Sequence, residues 1–180
     1  MSDEELRELT ESSAVEVRRL CTLFSGLQQL VMAQSVEPQL SPTPIVPLLA
    51  HAVEGVTLLF QRDGMSLRST VPDTCQAVLI NRTITLQALT RVLLAAHAVS
   101  HAQDTVELIA SCSPNGVQIV VRNVNSTVAA MNAETGLSMA VAEVNIRSQQ
   151  AGISWSPQPF NVQIELRKVP QPISTQVESF

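Results

Sequence analysis

The chain has 180 residues, 45% of them apolar and 15% charged, which is enough to bury a core and too apolar for a disordered body. Its net charge of −5, its lack of any basic cluster larger than Arg18-Arg19, and its four Phe, one Trp and no Tyr argue against nucleic acid as the main partner. Cys21, Cys75 and Cys112 form no CxxC pair, so a zinc or redox site is not indicated; they read as small buried hydrophobes in a reducing compartment.

The N-terminus is acidic and amphipathic, unlike a signal peptide, and no apolar run approaches the length of a membrane span. The expectation is a cytoplasmic protein with no membrane contact. Residues 4–34 predict one long helix without proline, capped by Ser2 or Asp3, with Asp3, Glu4 and Glu5 at its positive end. Val17, Leu20, Phe24, Leu27 and Val31 recur at intervals of 3, 4, 3 and 4, and Leu23 and Leu30 widen the stripe. One helix cannot bury such a face on itself. It reads as a dimerisation helix in a bundle, the plainer alternative being an ordinary core helix.

Pro38, Pro42, Pro44 and Pro47 then forbid helix continuation and set a stiff joint. The expected organisation is a dimerisation helix over 1–34, a Pro-rich linker over 35–47, a folded domain over 48–168 and a loose tail over 169–180. A helix over about 45–62 presents Leu48, Leu49, Ala52, Val53, Val56, Leu59 and Phe60, and Gly64 ends it. Residues 65–71 and 77–80 read as short strands. A helix over 83–101 turns Leu86, Leu89, Val92, Leu93 and Ala96 inward. Strands over 106–111 and 117–122 flank Asn115-Gly116, a strong hairpin signal. A helix over 136–149 and a last hairpin, over 152–156 and 161–168, complete the domain. The fold class is α/β: a two-layer sandwich of mixed sheet and helices, preceded by the long N-terminal helix.

The stretch Glu134-Thr135-Gly136-Leu137-Ser138-Met139-Ala140-Val141 has the cadence of a phosphate-cradling turn opening a helix. With Glu16–Leu20, Leu30–Gln34, Leu89–His101, Ile119–Asn123 and the hairpin over 151–166, it resembles, in order and spacing over roughly residues 10–168, the ATP-binding half of sensor histidine kinases, the Bergerat (GHKL) ATPase fold. The resemblance implies a nucleotide pocket at Leu93, His97, Asn123, Asn125, Gly136 and Ser138.

The residues there depart from the family pattern. Leu93 and His97 stand where members carry two Asn, one of them on Mg²⁺, and leucine offers no oxygen to a hard cation. Asn123 replaces the Asp that accepts the adenine amino proton, and Asn125 and Thr127 replace glycines beside the base. Glu134 and Ser138 replace glycines of the turn, and Glu134 would repel phosphate. About ten residues separate Asn125 from Gly136, a short lid. The helix bearing the phosphoacceptor His has no counterpart, and residues 4–34 contain no His.

His97 and His101 have metal-ligand spacing, with Asp104 or Glu107 as possible additions, but no HExxH pattern supports a site. His51 and Glu54 on the second helix read as solvent-facing. No G-x-S-x-G elbow is present. The reading is therefore a degenerate histidine-kinase-like protein with no catalytic residues, no metal and ATP and Mg²⁺ binding lost. It acts as a homodimer on a two-component partner, a response regulator or a kinase. One alternative is an ATP-independent histidine phosphotransferase using His51, His97 or His101. The other is an atypical ATP-binding kinase.

Overall fold

The computed structural model describes residues 38–125 and 129–169, together with residues 12–14, 16, 17, 20, 21, 24–28 and 31. The described residues before 38 are all helical. The remainder of the predicted 4–34 helix, including Leu23 and Leu30, and the predicted tail from 170 onward lie outside the described residues.

The elements run β1 (Ser41–Thr43), α1 (Ile45–Arg62), β2 (Ser66–Thr70), β3 (Val78–Ile80), α2 (Arg82–Val99), β4 (Thr105–Ser113), β5 (Gly116–Asn123), α3 (Ala133–Arg147), β6 (Gly152–Pro157) and β7 (Phe160–Arg167). Five strands form one mixed sheet in the order β2-β4-β5-β7-β6. β2 runs parallel to β4, and every other pair in this sheet is antiparallel. A parallel pair needs a crossover, and α2 supplies it.

One face of the sheet is apolar by strict alternation. Val106, Leu108 and Ala110 of β4, Val117, Ile119 and Val121 of β5, and Phe160, Val162, Ile164 and Leu166 of β7 are buried. On the opposite face Arg122 and Glu107, cross-strand neighbours, form an ion pair at 2.9 Å. With few aromatic residues the core is aliphatic: Leu48, Leu49, Leu89, Leu93, Ile119, Met139 and Ile146 join Phe60 and Phe160 as fully buried side chains. Trp155 ties β6 to α3 by donating its indole N–H to Glu143 Oε2 at 3.1 Å.

Two local outcomes differ from the sequence reading. The Pro-rich segment contributes β1, which pairs antiparallel with β3 through Ser41–Ile80 and Thr43–Val78. Second, α3 begins at Ala133, not at Gly136, because Asn132 caps it by accepting the Thr135 N–H at 2.8 Å. The start of α1 at Ile45 agrees with the reading, and it puts Pro47 in the first turn, where its missing N–H has no intrahelical acceptor to satisfy. Gly64 ends α1 as expected, in the left-handed region with φ +71°.

Cys75 and Cys112 are not isolated buried hydrophobes. They are bonded to one another, with Cα atoms 5.6 Å apart, and they close a loop of sequence separation 37. Spacing along the chain gave no sign of this, since the contact is made by the β2–β3 connection folding onto the end of β4. Cys21 is free and exposed.

Candidate functional site

α2 directs Leu93 into the core, where it is 0% exposed. One turn later His97 sits at the edge of the core, its ring edge-on to Phe60 at a centroid distance of 5.0 Å. His97 Nε2 lies 3.0 Å from Asp63 Oδ2, a close electrostatic contact without the alignment of a hydrogen bond. Asp63 is held in turn by Arg62, whose Nε and Nη2 donate to its two oxygens at 2.9 and 3.2 Å. The Arg62 hydrogen bonds hold the Asp63 carboxyl below the usual carboxylate range, against a smaller opposing effect of desolvation. His97 thus tethers the end of α2 to the end of α1.

Asn123 closes β5 and is buried. Its Nδ2 donates to Ser100 Oγ at 2.7 Å and to Asp104 Oδ2 at 3.0 Å, while its Oδ1 accepts the Asn125 N–H at 2.7 Å. Asn125 Nδ2 donates to Asp104 Oδ1, and the His101 N–H donates to Asp104 Oδ2 at 2.8 Å. Asp104 is therefore the hub of a closed polar network that spans the end of α2, the start of β4 and the end of β5. The sequence offers Asp104 as a possible addition to the His97–His101 pair and does not show this network, because no periodic signal links Asp104 to a partner 19 positions away.

Burial pushes the Asp104 carboxyl up, but the His101 amide, Asn123, the nearby His101 imidazole and Asn125 together hold it below its ordinary value. A carboxyl depressed by folding stabilises the fold fully above its unfolded value, and that contribution drains away as pH falls through its folded value. Asp104→Asn should cost about 1–2 kcal/mol at pH 7, since it replaces two acceptors by one acceptor and one donor. Below about pH 4 the gap to the parent protein should close. Urea midpoints across the acid range check this, and a gap that widens on acidification would exclude it.

The stretch Glu134–Val141, read from the sequence as a phosphate turn, lies inside α3. The Thr135 N–H goes to the Asn132 side chain and the Gly136 N–H to the Asn132 carbonyl at 2.9 Å, so two first-turn amides are already spent. Glu134 occupies the first turn, where its charge complements the helix dipole. A Cβ added at Gly136 would meet nothing within 4 Å, and its φ is not in the left-handed region, so no turn requires glycine there. Glu134, Leu137 and Ser138 face a cleft of about 370 Å³, with Arg91 and Leu94 of α2 and Gly26 of the N-terminal segment on its other walls. The short lid is pinned to the end of α2 by the Ala129 N–H, which donates to the Val99 carbonyl at 2.7 Å.

Gly26 is the one described residue before 38 that is buried. A Cβ there would come within 2.7 Å of Leu137 Cδ2, so the absent side chain seats Leu137. Val17, Leu20, Phe24, Leu27 and Val31 are 58, 63, 63, 55 and 64% exposed. With 3.6 residues per turn, Gly26 points roughly 140° away from the centre of that stripe. The segment thus meets its own domain with one face and leaves the apolar stripe uncovered.

His51 and His101 are exposed. His101 Nδ1 lies 3.8 Å from Asp104, while Glu107 pairs with Arg122, so the carboxylates divide between different partners. Among the described residues no group of three or more His, Cys, Asp or Glu is placed to hold a metal, and no helix is long and apolar enough to cross a membrane.

No protein-family model and no curated protein matches the sequence. Solved structures do. The Acinetobacter baumannii histidine kinase AdeS matches with a TM-score of 0.71 at 16% identity, over 94% of this chain and 87% of that one. Full-length ShkA, solved in complex with AMPPNP, matches with a TM-score of 0.72 at 17% identity, over 94% of this chain but 40% of ShkA. A histidine kinase from Burkholderia phymatum matches with a TM-score of 0.64 at 15% identity, over 90% of this chain and 85% of that one. The sheet order, the three helices packed on its apolar face and these likenesses together give the chain the fold of histidine-kinase catalytic domains.

Proposed function

We propose that the chain is a non-catalytic, histidine-kinase-like signalling protein that binds a two-component partner as a homodimer and does not use ATP. The observation that carries this reading is the internal satisfaction of the polar groups at the nucleotide end of the fold. Asn123 and Asn125 spend their side-chain amides on Asp104 and Ser100, and Asn132 takes the α3 amides. A nucleotide would have to break these bonds and repair none of them.

The residues do not suit Mg-ATP in other respects. Leu93 is apolar and buried, with no oxygen for a hard cation. Glu134 would meet phosphate with like charge. What the fold retains is a rigid sheet-and-helix body and an uncovered apolar helix face, which suit recognition of proteins.

Titration calorimetry with Mg-ATP on the full chain should give no binding heat at concentrations that saturate an active kinase. Micromolar affinity would overturn the reading. Incubation with a phosphorylated response regulator separates it from the phosphotransferase alternative, which requires label on His51, His97 or His101. Label on any of the three would replace the binding role by phosphoryl transfer.

A further inference from the structure

The β2–β3 connection lies over one end of the sheet and carries Cys75. Its Cys75 N–H bonds only to Pro72 within the same connection, at 3.1 Å. The bond to Cys112 is a covalent tie from this segment to β4, beside the apolar packing of Val71 and Cys75 on the core. Cys112 lies on the exposed end of β4, whereas Cys75 is half-buried. Beside the pair is a cleft of about 270 Å³ whose walls include Thr74, Gln76, Cys112, Ser113 and Lys168. Cys112, an exposed residue, thus lines a space large enough for a small thiol, and Lys168 lines the same cleft.

We propose that the Cys75–Cys112 disulfide is a thiol-exchange site for an anionic low-molecular-weight thiol of the glutathione class, with Cys112 as the sulfur attacked. The incoming thiolate bonds to Cys112 Sγ, the Sγ–Sγ bond breaks, and Cys75 leaves as a thiolate that takes a proton from water. A second thiolate attacks the small thiol's sulfur in the mixed disulfide. It yields the small disulfide and a free Cys112 thiolate. Two small thiols are oxidised and one protein disulfide is reduced; the reverse sequence, driven by the small disulfide, restores the tether. Lys168 attracts the anionic thiol and its thiolate. Solvent-exposed disulfides are the exchangeable ones, in contrast to buried structural bridges. Reduction removes the covalent tie and leaves the β2–β3 connection held by the packing of Val71 and Cys75 on the core.

The test uses the full chain carrying Cys21→Ser, which removes the exposed free thiol. It is equilibrated with mixtures of reduced and oxidised glutathione, quenched with an alkylating reagent and mapped by peptide mass. Two thiols should appear together as reduced glutathione increases, with the transient adduct on Cys112 and not on Cys75. Cys75→Ser should hold glutathione stably on Cys112, which tests the attacked sulfur even if the reduced protein loosens. Lys168→Gln should slow the first step about threefold. Three results would overturn the proposal: a pair that stays oxidised in large excess of glutathione until the protein is denatured, an adduct on Cys75, or two free thiols before any reductant is added. An unchanged rate in Lys168→Gln would remove the anionic-thiol specificity.

Discussion

Replacing Leu20 and Leu27 together with aspartate is expected to convert the protein from dimer to monomer. Both side chains are more than half exposed in the single chain, at 63 and 55%, and they share a stripe with Val17, Phe24 and Val31. Burial in a helical seam stabilises by roughly 1.5–3 kcal/mol for each large apolar side chain. In a symmetric dimer every residue of the seam counts twice. The substitutions remove four such side chains from the assembly and place four carboxylates where they must be desolvated beside one another. No plausible seam of this length survives that loss.

The fold should be indifferent to the same change, because Gly26 and Leu137 make the contact with the domain on the far side of the helix. Light scattering should therefore fall from twice 19.5 kDa to 19.5 kDa while the far-ultraviolet circular dichroism of the domain is retained. A mass unchanged by the substitutions would exclude this seam. A parent protein that is already monomeric would exclude the homodimer itself and leave the stripe for a different partner.

Much of the fold could be read from the sequence because its signals are local. The alternation in residues 106–111 and 117–122, with Asn115-Gly116 between them, leaves a hairpin as the only economical reading. The 3.6-residue periodicity of Leu48, Leu49, Ala52, Val56 and Phe60 placed α1 within its observed bounds. The identities of Leu93, Asn123 and Glu134 set the expectation of a changed site without any geometry.

What escaped was non-local. β1 forms in a Pro-rich segment because Ser41–Thr43 find β3 as a partner, and proline tolerates an edge strand in a two-stranded sheet. Asp104 became a hub only when the ends of α2 and β5 converged on it. The Cys75–Cys112 bond depends on the path of one connection. The start of α3 was misplaced by three residues because the phosphate-turn cadence drew attention to Gly136, while Asn132, an ordinary N-cap, decided the boundary.

Placing asparagine at Leu93, the residue that the family resemblance implies there, is expected to damage the fold and not to confer nucleotide binding. Leu93 is 0% exposed within the core formed by α2, α3 and the sheet. Its replacement forfeits about 2–3 kcal/mol of apolar burial. The carboxamide then sits among aliphatic side chains with no partner, which costs about 1–3 kcal/mol more. A total near 4 kcal/mol would lower the melting temperature by about 10 °C for a chain of this size. The neighbouring Leu94 is 38% exposed and faces the cleft beside Glu134 and Ser138, so Leu94→Asn should cost under about 1 kcal/mol. The two variants together test which face of α2 belongs to the core: a tolerated Leu93→Asn with a damaging Leu94→Asn would reverse the assignment. Function is tested by the same proteins in Mg-ATP calorimetry. One asparagine cannot rebuild the site while Asn123 and Asn125 remain bound to Asp104 and Asn132 holds the amides of α3, so neither variant should gain affinity. Recovery of ATP binding by Leu93→Asn alone would mean that the nucleotide pocket is intact but for one ligand, and the chain would then be a kinase scaffold one substitution from activity.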